Sequence, residues 1–206
     1  MASALARLSP EGGSVASRTQ IVCLHEGEAG RSIDPIFITR LMKALNPAWV
    51  RHGDGSNIVR TVSLGGRTTL IQRMPGELRS CLEMGGHTTL MVWADLDHDM
   101  KDGDQLKEVF WRAAEQAGIT KDQFDQVVFV FAKDRLENWI EFLLNGATDE
   151  SKSAPKRKHD RLVADAARSL AERCLSGTAV PKLPPSLAWS CRNWRTLVAR
   201  MGRDTA

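Results

Sequence analysis

In "HTTLMVWAD" (residues 87–95) the positions from Leu90 to Ala94 are apolar without a break. A strand with one wet face alternates apolar and polar residues. A strand covered on both faces reads as a near-continuous apolar run, and such strands belong to parallel sheets packed between helices. The neighbouring segments extend that reading. "TQIVCLHEG" (19–27) is a β-branched and apolar run ending at a Gly-containing turn. "SIDPIFITRLMKAL" places Ile36, Ile38, Leu41, Met42 and Leu45 near helical spacing, with Asp34 and Pro35 as N-cap and first turn. "NIVRTVSL" is a second strand, and "PGELRSCLEMGG" a helix starting at Pro75 and stopped by Gly85 and Gly86. "DGDQLKEVFWRAAEQAG" is a helix ended by Gly118, and "DQVVFVFA" is a fourth strand followed at once by the helical "DRLENWIEFLLNG". The alternation predicts an α/β domain over residues 19–147, with a mainly parallel four-stranded sheet flanked by helices.

A leader (1–18) precedes that domain. "ATDESKSAPKRKHDR" marks its far edge by a shift to polar and charged residues. The C-terminal extension (148–206) holds two further helices, "RLVADAARSLAERCL" and "SLAWSCRNWRTLVARM", the second starting from a Ser186 cap. The charge is divided unevenly. Residues 1–150 carry 16 Lys/Arg and 21 Asp/Glu, whereas residues 151–206 carry 12 and 4. A basic segment beside an acidic body suits an anionic partner, nucleic acid first, and equally a solvated helical face. Its candidate contacts are Lys156, Arg157 and Lys158 in the run "PKRK", with Arg192 and Arg195 in the last helix. Trp189 and Trp194 share that helix and are candidates for the same partner surface.

Other classes are set aside by composition. No apolar stretch reaches the roughly 18 residues of a membrane helix. The first residues lack the charged end and apolar core of a secretory signal. The four cysteines are scattered without a CxxC pair, against a zinc ribbon and against a disulfide framework. A cytoplasmic protein with reduced thiols and no membrane partner is the expectation.

Ligands of open parallel sheets sit at the carboxyl ends of strands. Glu26 and Glu28 follow the first strand, Asp95, Asp97 and Asp99 the third, and Glu137 opens the helix after the fourth. Acids are common at helix starts, where caps and the helix dipole favour them. Three separate strand ends delivering acids to one rim point further, to a hard cation such as Mg²⁺ or Mn²⁺ held by carboxylates, waters and substrate phosphates. Lys133, just ahead of "LENW", is placed to stabilise charge developing on a phosphoryl group. His25 is expected to point into the sheet, away from Glu26, because strand neighbours alternate faces. His98 is open between a site role and a solvated one.

The strand end Cys23-Leu24-His25-Glu26-Gly27, the later Trp93-Ala94-Asp95-Leu96-Asp97 and the stretch "KDRLENWIEFLL" together resemble the TOPRIM domain. That domain is shared by topoisomerases, bacterial primases and the overcoming-lysogenisation-defect nucleases. The third stretch also resembles the "LExW" helix of small stand-alone TOPRIM-like proteins often encoded beside ATPases. The resemblance covers about residues 20–147. It implies that Glu26 is a metal ligand or general acid/base, that Asp95 and Asp97 are the metal-binding pair, and that Glu137 completes the metal shell. It also implies an antiphage setting with an ATPase partner.

Within such a family the residue inventory narrows the chemistry. Strand passage by a topoisomerase needs a tyrosine nucleophile, and the chain has no Tyr. A primase of this kind adds a zinc module that these cysteines cannot supply. Hydrolysis of a phosphodiester by metal-activated water needs only carboxylates and cations. The leading expectation is a metal-dependent nuclease acting on DNA ahead of RNA, with Glu26, Asp95, Asp97 and Lys133 catalytic and Glu26, Asp95, Asp97 and Glu137 holding the metal. The alternative is a catalytically silent TOPRIM-like subunit that docks on a partner ATPase or nucleic acid. A small-molecule phosphohydrolase is a third reading.

Overall fold

The computed structural model describes residues 20–45, 58–85, 88–156, 161–176 and 183–200. The leader 1–18, Arg157 and Lys158 lie outside these residues. The elements run β1 (Gln20–His25), α1 (Asp34–Ala44), β2 (Val59–Ser63), α2 (Arg67–Glu83), β3 (Thr88–Leu96), α3 (Gly103–Gln116), α4 (Lys121–Phe124), β4 (Val128–Lys133), α5 (Leu136–Asn145), α6 (Arg161–Ser176) and α7 (Pro185–Arg200). The sheet has the order β2-β1-β3-β4 and every pair is parallel. No described helix is long and apolar enough to cross a membrane.

Strand alternation divides the core into two layers. Ile21, Cys23, Met91, Trp93, Val128 and Val130 face one side, where they meet α1, α5, α6 and part of α7. Val22, Leu24, Leu90, Val92, Phe129 and Phe131 face the other, against α2 and α3. The β1-to-β2 crossover through α1 therefore uses one face, and the crossovers through α2 and α3 use the other. The connection from β1 runs over the first layer toward β2, and that from β3 runs over the second toward β4. The point where the two diverge lies between adjacent strands β1 and β3, the place where open α/β sheets form a crevice.

Two helix starts differ from the sequence pattern. α2 begins eight residues before Pro75, at Arg67, and Pro75 lies buried inside it. An internal proline removes one backbone hydrogen bond and costs about 3 kcal/mol. The stripe Leu70, Met74, Leu78 and Cys81 runs through it and buries against the sheet, which offsets that cost. In α7, Ser186 lies inside the first turn and its hydroxyl is used elsewhere. It accepts from the Lys133 amide at 3.1 Å and from Trp139 Nε1 at 2.7 Å, and it donates to Glu150.

The C-terminal helices belong to the same core. Val163, Ala166, Ala167, Leu170 and Ala171 of α6 form a stripe of mostly small side chains that packs on α1 and α5. α7 lies along the outer edge of β4. Ser190 accepts from the Phe131 amide at 3.0 Å and donates to the Phe131 carbonyl at 3.1 Å, and Asn193 donates to the Phe129 carbonyl at 3.0 Å. Unpaired edge groups that would template another strand are thus satisfied by side chains. The helix also straddles the edge. Trp194 enters the first layer, edge-on to Trp93, while Trp189 enters the second, stacked on Phe131 with ring centroids 5.0 Å apart. Both tryptophans are buried, which removes them from any partner surface; Arg192 and Arg195 remain exposed.

Candidate functional site

Parallel pairing sets the site. His25 of β1 lies in register with Trp93 of β3, so Glu26, one residue further on, comes level with Ala94 and within reach of the Asp95 amide. Glu26 Oε1 accepts the Asp95 amide proton and closes the gap between the two strand ends. Gly27 follows in a turn so tight that a Cβ there would collide with Ser32 and Asp34. That turn folds the chain back and places Asp34, the first residue of α1, beside the same crevice. The sequence pattern makes Asp34 the N-cap of α1; in the fold it is the first helical residue and Ile33 takes the cap position. The Asp34 carboxylate accepts the Ser32 hydroxyl at 2.5 Å and stands 3.9 Å from His25 Nδ1.

Glu26, Asp34, Asp95 and Glu137 line one cleft of about 620 Å³, together with Arg31, Arg135 and Lys156. Burial holds the Asp95 carboxyl well above the usual carboxylate range, and the charges of Asp34, Glu26 and Glu137 push it the same way against Arg67. Burial also raises Glu26, against the Asp95 amide and Arg67, and it raises Asp34 against the Ser32 hydroxyl. These shifts mark negative charge that the fold gathers and only partly neutralises.

Asp97 is differently placed. It lies beyond the end of β3, with its side chain 62 % exposed, and Arg67 Nη1 meets its carboxylate at 2.6 Å. The same guanidinium donates from Nη2 to the Asp95 carbonyl at 2.6 Å, and its Nε lies 3.7 Å from Glu26. Arg67 is the first residue of α2, brought there by Gly65 and Gly66, whose φ values of 69° and 146° suit glycine. Sequence reading missed both Arg67 and Asp34 as site residues. The signal for Arg67 was the glycine pair ahead of a helix, at a strand's carboxyl end.

The "LENW" stretch opens α5 and each residue has a separate task. Leu136 and Trp139 are buried in the first layer. Glu137, 8 % exposed, reaches the cleft. Fully buried Asn138 donates to the Lys133 carbonyl at 3.0 Å and accepts from the Ala154 amide at 2.9 Å. Lys133 does not point into the cleft. Its ammonium donates to the carbonyls of Asp97 and Met100, at 2.9 and 2.7 Å, and so braces the turn that carries Asp97.

His25 is buried in the sheet as expected, and burial lowers it to about 4, so it is neutral near pH 7. His98 is half out in solvent, with Nε2 3.2 Å from Asp134. Glu28 and Asp99 are exposed, and Glu28 pairs with Arg31 at 3.1 Å. Lys156 is exposed at the cleft.

Among the described residues no three acid, imidazole or thiol groups stand close enough to hold a metal ion by themselves. The carboxylates line the cleft as separate groups. Compared with known proteins, the chain matches no family model, no curated protein and no solved structure.

Proposed function

We propose that this chain is a TOPRIM-like, metal-dependent phosphodiester hydrolase, a nuclease working in the cytoplasm with an ATPase partner in antiphage defence. The observation that carries the reading is the cleft at the β1/β3 crevice. Acids from three strand ends gather there, with Asp95 at their centre held above its ordinary range by burial and by the charges around it. The donor set fits Mg²⁺ or Mn²⁺. Mg²⁺ keeps several of its waters and takes one or two carboxylates plus substrate phosphates, so it needs no closed shell of protein ligands.

Asp95, with either Glu26 or Glu137 beside it, would hold the cation, and waters would complete its shell. When bound, it polarises a phosphoryl oxygen and yields a nucleophilic water at neutral pH. The chain's own residues do the rest. The Asp95 amide fixes one oxygen of Glu26, which leaves the other toward Arg67. Asp34 adds negative charge beneath Asp95. Lys133 holds the Asp97 turn in place through main-chain carbonyls, a bracing task in place of direct charge stabilisation.

Calorimetric titration with Mn²⁺, followed by cleavage assays on plasmid and single-stranded DNA with and without the ATPase, tests this. Saturable Mn²⁺ binding and metal-dependent cleavage, both lost in Asp95→Asn, are expected. Wild-type protein that binds no Mn²⁺ would refute the reading.

One observation favours the silent-subunit alternative. The guanidinium of Arg67 already acts as a fixed cation for Glu26 and Asp97, as a metal would. Protein that binds its ATPase partner equally well with and without Mn²⁺, and cleaves nothing, would favour that role.

A further inference from the structure

The return segment after α5 is pinned to the acid cleft at Ala154 and its neighbour Ser153. Ala154 is buried, its amide donates to Asn138 Oδ1 at 2.9 Å, and its carbonyl accepts from Arg135 Nη1 at 3.3 Å. Arg135 is held in turn by Asp134, 3.0 Å from Nε. The Asp134 backbone N–H donates a hydrogen bond to the Leu96 carbonyl at 2.7 Å. Burial would raise Asp134, but the Ser153 hydroxyl, Arg135 and His98 hold it below the usual range. Two residues past Ala154, Lys156 arrives at the cleft mouth.

A buried Asn and an anchored Arg are spent on setting the course of a surface segment, and the result is a basic rim facing an acidic floor. A cation-binding floor alone would gain nothing from Arg135 and Lys156, whose charges oppose metal entry. A ligand carrying both a bridging cation and further negative charge would use both.

We propose that Arg135 and Lys156 form an anion-holding subsite of this cleft, which takes a phosphate group next to the one presented to the acids, with Asn138 as the positioning residue. The inference rests on the phosphodiesterase reading above. The volume of about 620 Å³ is that of a small-ligand pocket. It admits one or two nucleotide units of a single strand or a frayed end. A single strand or frayed end is therefore the expected occupant, ahead of a continuous duplex.

The test uses a short fluorescent single-stranded oligodeoxynucleotide with phosphorothioate linkages and its duplex, titrated in Mn²⁺ over a range of salt concentrations. Each phosphate contact to a single strand contributes roughly −0.7 to the slope of log affinity against log salt. Lys156→Ala, at an exposed position that leaves folding untouched, is expected to flatten the slope by about that amount. Arg135→Gln should do so as well, and Asn138→Ala should reproduce the Lys156→Ala loss although Asn138 itself carries no charge. Mn²⁺ affinity without oligonucleotide should stay at the wild-type value or rise in Lys156→Ala. An unchanged slope in Lys156→Ala, or a duplex bound as tightly as the single strand, overturns the subsite. Protein that binds Mn²⁺ but no oligonucleotide overturns it too, while leaving the metal site standing. Absence of Mn²⁺ binding removes the parent reading instead, and that result is visible before any oligonucleotide is added.

Discussion

Arg67 Nη1 lies 2.6 Å from Asp97 Oδ2, and the same guanidinium reaches Glu26 and the main chain of Asp95. A single side chain from the start of α2 thus ties together the ends of β1 and β3. It also stands where an incoming cation would compete for the same carboxylates.

Arg67→Gln is expected to tighten Mn²⁺ binding roughly tenfold, or about 1.4 kcal/mol, because the cation no longer displaces a charged hydrogen bond. The metal-free variant should unfold at lower urea, since Glu26 keeps its buried position without its cationic neighbour. Calorimetry and urea titration read the two effects separately. Weaker Mn²⁺ binding in the variant would show that Arg67 orients the ligands rather than competing with the metal.

Asp95→Asn should stabilise the metal-free protein at pH 7. The folded state holds Asp95, Glu26 and Asp34 above their ordinary range. A raised carboxyl gives stability that is fully present below the unfolded value, about 4, and is lost as pH rises through the folded one. As pH rises the wild type therefore loses this contribution from all three carboxyls, and the variant is spared the Asp95 share. Urea midpoints in chelator should differ most near pH 7 and converge as the pH falls toward about 4. A variant less stable than wild type at pH 7 would make Asp95 a structural group.

His25 acts in the opposite direction. Its folded value is lowered by burial from 6.5 to about 4. The stability gained by keeping it neutral is present above 6.5 and is lost as pH falls through that window, by about 3 kcal/mol in total. Asp34, 3.9 Å away, is itself raised and gives the imidazolium little help there. His25→Gln should flatten the loss of stability between pH 6.5 and 4, followed by urea denaturation in the Asp95→Asn background. An unchanged profile would place the acid sensitivity elsewhere.

Ser190→Ala is expected to cost about 1–3 kcal/mol, because it leaves the buried Phe131 amide and carbonyl at the β4 edge without their partner. Arg195→Ala, on the exposed face of the same helix, should stay within about 0.5 kcal/mol. Gly103→Ala should also destabilise, since a Cβ there would run into the Trp189 ring. Equal urea midpoints for Ser190→Ala and Arg195→Ala would mean that α7 does not seal the edge.

The unbroken apolar run of β3 and the flanking helical periodicities determined a parallel sheet between helices, because burial on two faces leaves few other solutions. The same local signals put Glu26, Asp95 and Glu137 at strand or helix ends on one rim, since in a parallel sheet all carboxyl ends share a side. The choice of partners among those acids was a tertiary matter. Asp97, two residues from Asp95, goes to Arg67 because β3 ends at Leu96 and α2 starts at a glycine pair some thirty residues earlier. Asp34 joins the floor only because Gly27 permits a turn that brings α1 back over β1. The two tryptophans of α7 had the spacing of a basic surface helix, and they became core because β4 is an edge strand. An edge strand's unpaired backbone and two adjoining apolar faces are created by strand order, which no local window of sequence contains.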